Sequence, residues 1–284
     1  MEISVPTQSF QWALPIMRAG YAGRGIVYIV VAGLSLWAIF RGGDAEGTGS
    51  AFSTLSASPF GWVLLALIVL GMAAYAIWRI LDAAMDLEDY GTDAKGLIAR
   101  AGMVVTGLVH SAIGVLAVSL IIGASRSGGG IEQAVAAVLR MPGGRWIIAF
   151  AAICTLGAAL YYLQKALRRT YRDKLRASHF TRNWDWAMQA GVASQGVVVG
   201  VIGGFLAMAA LRADSTHAGG MGQAFDWLGQ QPFGQALVIL LCLGLLGFAF
   251  FCFVNAGYRI IPRIAEPGTE SLGEFLKRKA RAAT

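Results

Sequence analysis

Six stretches of this chain are almost free of charge. Apolar residues dominate 19–40, 60–82, 100–123, 145–166, 187–211 and 233–256. A bilayer core of about 30 Å takes roughly 20 residues of helix. Lipid offers backbone groups no partners, so runs this apolar predict six transmembrane helices. The first run starts late, has no small-residue cleavage site behind it and belongs to a repeat. It is expected to be a retained span and not a signal peptide.

The spans come in pairs, and the pair occurs three times. The odd-numbered spans open alike: Arg18-Ala19-Gly20 with Gly25, Arg100-Ala101-Gly102 with Gly107, and Gln189-Ala190-Gly191 with Gly196. The even-numbered spans follow Pro59/Gly61, Pro142/Gly144 and Pro232/Gly234. Two crossings per copy give every copy the same orientation, so the copies are related by an axis along the membrane normal. The pattern predicts an all-α integral membrane fold with pseudo-threefold symmetry. Its repeats would cover 12–90, 91–182 and 183–262, with a tail over 263–284.

Small residues concentrate in the odd spans. Gly20, Gly102, Gly191, Gly196 and Gly200 are read as helix-packing positions, because small side chains let backbones approach where no hydrophobic effect drives association. This places the odd spans at the centre and the bulkier even spans, with Tyr75, Trp78, Tyr162 and Phe248, outside. Each outer connection carries a short stretch of helical spacing before its proline, around Phe52, Val135 and Phe225. These predict short amphipathic helices that lie on the membrane or cap the bundle. Gly42-Gly43, Gly128-Gly129-Gly130 and Gly219-Gly220 supply turns ahead of them.

Charge adds orientation. Of 23 lysines and arginines, only Arg41, Arg126, Arg140, Arg145 and Arg212 fall on the side of the outer connections. The positive-inside rule then puts both termini in the cytoplasm. The net charge of +7 is a topology signal and gives no reason to expect a nucleic-acid partner. Cys154, Cys242 and Cys252 all fall within spans, which excludes a disulfide framework in the loops. In the tail, Ser271 and Glu274 have capping-box spacing, Leu272, Phe275 and Leu276 form an apolar strip, and Lys277 to Arg281 is basic. A helix lying on anionic lipid is expected there. Trp184 and Trp186 mark the interface before the fifth span.

Few residues carry chemistry. His110 lies ten residues into the third predicted span, about 15 Å deep, where polar groups are costly. It is open to two roles: a proton relay or substrate contact, or a neutral hydrogen bond between helices. Arg24, Thr106 and Gln195 occupy one repeat position and would sit at one depth. With His110 they form a candidate polar pathway; alternatively Arg24 snorkels to the headgroups. Asp82, Asp86, Glu88, Asp89 and Asp93 are expected to form a solvated turn and no metal site, since the spacing fits no calcium loop. No nucleophile elbow, zinc-binding pair or phosphate loop is present. No catalytic residue, metal or cofactor is assigned; a second axial histidine for haem is missing from the spans.

The repeated Arg-Ala-Gly-x4-Gly openings and the linker Gly91-Thr92-Asp93-Ala94-Lys95-Gly96-Leu97 with Arg100 resemble a bacterial membrane-protein family catalogued as domain of unknown function 1206. The resemblance covers about 12–262. It implies three tandem two-helix repeats in a bacterial cytoplasmic membrane and implies no activity. The reading is a non-enzymatic multi-pass protein that scaffolds or modulates a membrane partner or lipid. A small-solute or ion pathway along the axis is the alternative.

Overall fold

A computed structural model describes residues 10–124, 130–265 and 268–282. Arg126 and the Gly128-Gly129 part of the second turn lie outside them. Six long apolar helices can span a membrane: α1 (Ala13–Phe40), α3 (Gly61–Met85), α4 (Ala94–Ile121), α6 (Gly144–Arg168), α8 (Asp185–Arg212) and α10 (Gly234–Tyr258). Short helices α2 (Thr48–Ser56), α5 (Gly130–Leu139) and α9 (Met221–Gly229) precede the three proline marks. Helix α7 (His179–Asn183) leads into α8, and α11 (Leu272–Arg281) forms the tail. Several spans run past the predicted limits, because polar first and last turns continue the helix beyond the apolar core.

The spans pack in the order α4–α3–α1–α10–α8–α6. Every neighbour pair joins an odd span to an even one. Odd and even spans thus alternate along the arc, and five of the six seams of a closed ring are made. The sixth, between α4 and α6, is not, although these two helices belong to one repeat. The arc still curves back on itself, because Arg24 on α1 reaches Tyr162 on α6.

The central placement of the odd spans does not hold. No two of them pack extensively together. Large side chains, and not glycine faces, fill the interior. Tyr75 and Phe248, on even spans, are fully buried. The glycines work at the seams between neighbours instead. A Cβ on Gly20 would stand 2.6 Å from the Tyr75 Cα, and Gly23 abuts Gly71 backbone to backbone. Gly191 abuts Gly247 and Phe248, and Gly196 meets the Leu163 side chain. Gly200 has ordinary room beside Ala159, and Gly102 faces open space, so Gly102 marks no helix contact.

At one end of the bundle α2 and α9 act as plugs. Phe52 and Phe225 are buried in the main core, and the backbones of Gly47 and Gly222 touch. Helix α5 lies apart against α6 and the turn Ser215–His217, with Val135 buried.

The opposite, basic end is more ordered than a solvated turn. The loop after α3 reverses through left-handed residues Asp86 and Asp89. Asp82, Asp86 and Glu88 are buried, because the bundle's own cations face them. Bridges Leu175 to Arg259 and Arg176 to Ser271 tie the tail to the segment after α6. The capping box of α11 forms as expected, Ser271 accepting from the Glu274 amide. Leu272 is buried against this chain and Phe275 packs under Arg182, so the apolar strip is partly covered while Lys277 to Arg281 stay exposed.

Candidate functional site

Close packing of α1 against α3 creates the site. Gly20 and Gly23 let the two backbones meet, which sets Tyr75 beside Arg24. Arg24 is 5% exposed. Its Nη1 donates to the Tyr75 hydroxyl at 3.0 Å and its Nη2 to the Tyr162 hydroxyl at 3.2 Å. The guanidinium also stands 4.9 Å from the Phe248 ring centroid, 5.3 Å from Tyr75 and 5.8 Å from Tyr28. Cation–π contacts of this kind are each worth about 1–2 kcal/mol when desolvated. Nε has no partner among the described residues. Arg24 therefore does not snorkel; it points into the bundle.

A second guanidinium shares the same tyrosine. Arg79 Nε donates to the Tyr75 hydroxyl at 3.1 Å, Nη2 to Tyr21 at 2.9 Å and Nη1 to Asp82 at 3.4 Å. The Asp82 carboxylate accepts from the Glu88 amide at 3.2 Å. Glu88 then accepts from Arg259 Nε at 2.9 Å, with Lys174 Nζ 3.8 Å from its other oxygen. Burial alone would raise the Glu88 carboxyl; Arg259, Arg79 and Lys174 outweigh it and hold it down to about 2. A hydrogen-bonded chain thus runs from the basic end through Arg79 and Tyr75 to Arg24 and Tyr162.

His110 joins this chain through its ring, 4.6 Å from Tyr75. Its Nδ1 lies 2.7 Å from the Thr106 carbonyl of its own helix, which puts the proton on Nδ1 and leaves Nε2 as an acceptor. The Thr106 hydroxyl bonds the Gly102 carbonyl of the same helix at 2.7 Å. Gln195 is buried with an unpartnered Oε1. The structure brings Arg24 and His110 onto one tyrosine and forms no hydrogen bond among Arg24, Thr106 and Gln195.

Charges in the interior do not cancel. Arg79 pairs with Asp82, and Glu88 pairs with Arg259 and Lys174. Arg24 and Lys165 have no carboxylate partner among the described residues. Lys165 rests on the rings of Tyr161 and Phe251, 5.7 and 5.4 Å away. Among the described residues no group of acidic, histidine or cysteine side chains could hold a metal ion.

Tyr75, Arg79, Tyr162, Lys165 and Glu88 were not singled out from the sequence. One signal was there. The even spans repeat at offsets of 83 and 90 residues, which makes Arg79, Tyr162 and Cys252 equivalent. Polar groups recurring at one position of apolar helices point inward.

The family profile described as Domain of Unknown Function (DUF1206) matches residues 19–86, 101–169 and 190–259. The protein described as Uncharacterized protein YxxB of Bacillus subtilis (strain 168) is 27% identical over 252 residues, 87% of this chain and 92% of the relative. No solved structure matches.

Proposed function

Because this chain belongs to the DUF1206 family, carrying its unit three times in tandem, we propose a role for the whole triplicated bundle: it is a non-enzymatic membrane scaffold. It takes a partner helix or lipid along the edge between α4 and α6. The unmade seam between these helices carries this reading. It exposes Val109 on α4 and Cys154 on α6 to the bilayer. The basic end faces the cytoplasm of a bacterial cell, following the distribution of lysine and arginine. The exposed basic face of α11 then lies against anionic headgroups.

A solute pathway along the axis is less well supported. The axis is filled by Tyr28, Tyr75 and Phe248, all buried. Arg24 sits across it, and a fixed cation repels other cations and protons. The test is photo-crosslinking in intact membranes. A crosslinking residue at position 109 or 154 should give defined adducts that Leu70 and Leu240, exposed on α3 and α10, do not. Selective solute uptake into proteoliposomes, without edge-specific adducts, overturns the scaffold reading.

A further inference from the structure

The unbalanced interior charge suggests a bound ligand. Arg24 is buried on α1 and keeps its proton under all ordinary conditions. A lysine in its place could neutralise itself; arginine cannot. An unpaired cation in a low-dielectric interior is costly, and two tyrosine hydroxyls and three ring faces offset that cost only in part. Lys165, half-buried on α6 against the rings of Tyr161 and Phe251, adds a second basic side chain, also without a hydrogen bond or ion pair among the described residues. Tyr162 links the two: it accepts from Arg24 at 3.2 Å and precedes Lys165 by one helical turn. The free Arg24 Nε is a donor still waiting for an acceptor.

We propose that Arg24 and Lys165 together hold one anionic group, a phosphate or a carboxylate, inside the bundle. Tyr162 orients it through its hydroxyl. The group enters beside Tyr162 and Lys165, which are half-buried next to the exposed Tyr161. Near the open seam an anionic lipid can offer its headgroup; from the basic end a free anion can arrive. The inference rests on the interior charge balance and stands even if no partner is captured at the α4–α6 edge.

The experiment uses the full chain purified in an uncharged detergent. Phosphatidylglycerol or phosphatidylcholine in mixed micelles, and inorganic phosphate alone, are titrated while melting temperature and tryptophan fluorescence are read. Phosphatidylglycerol should bind and raise the melting temperature, and phosphatidylcholine should not. K165M should weaken that binding at least tenfold, and R24Q should abolish it. R140A, exposed at the opposite end of the bundle, should leave it unchanged. Binding of inorganic phosphate with the same mutant pattern assigns the site to free anions; binding of phosphatidylglycerol alone assigns it to headgroups. If R24Q does not fold, K165M and R140A decide. The proposal is overturned if neither anionic probe binds, if K165M binds like the native chain, or if R140A loses as much as K165M.

Discussion

The Tyr75 hydroxyl accepts from two guanidiniums at once, Arg24 and Arg79. Y75F would leave both donors buried without that acceptor. Lost hydrogen bonds to charged groups cost about 1.5–3 kcal/mol each, less where other acceptors share the load, so the variant should lose about 2–4 kcal/mol. A lower melting temperature in detergent would report it, with the helix content unchanged. Glu88 makes a second residue-scale prediction. Its carboxyl is held down to about 2, against an ordinary value of 4.5. A depressed acid stabilises the fold above its unfolded value and loses that contribution as pH falls through the folded one. E88Q should therefore melt well below the native chain at neutral pH, and the gap should shrink between pH 4.5 and about 2. A gap independent of pH would sink this account. Neither residue was legible as important. Tyr75 reads as an aromatic on a bulky span, and Glu88 as one acid among five in a polar turn. What distinguishes them is the partner each meets across the fold, Arg24 on another helix and Arg259 from 171 residues away.

At the scale of the element, six spans, three short helices and the tail's capping box were all readable, because hydrophobic runs, proline breaks and side-chain caps are local. The neighbours of each helix were not. Small residues signal close approach without saying which helix approaches. Glycine-rich faces suggested a shared centre, whereas Gly20 and Gly23 in fact close a lateral seam against α3. Two substitutions separate these cases. G23A would drive a Cβ into the Gly71 backbone and should destabilise the fold by forcing α1 and α3 apart. G102A meets nothing within 4 Å and should be neutral, or stabilising by up to about 1 kcal/mol through better helix propensity. Thermal melts of the two variants side by side check this. F52A tests the plug formed by α2. Removing a fully buried phenylalanine should cost about 3–5 kcal/mol, whereas V135A on the detached α5 should cost much less.

Across the whole molecule, the arc order joins the first repeat to the third through α1 and α10. The second repeat is shared between them: α4 rests on α3, and α6 rests on α8. Triplication was visible in the sequence, since the marks recur at near-constant offsets. The missing seam was not, because all three copies carry the same kind of signature and nothing in a single copy tells which pair stays apart. The repeated unit is consequently not always the unit that coheres: α1 packs on α3 and α8 on α10, but α4 and α6 part and join different neighbours. The chain between them divides α1 to α4 from α5 to α11. Severing the chain between α4 and α5 should then be survivable. Two separately translated halves, expressed together, should find each other through the α1–α10 face and copurify as a heterodimer. The middle repeat expressed by itself should be degraded.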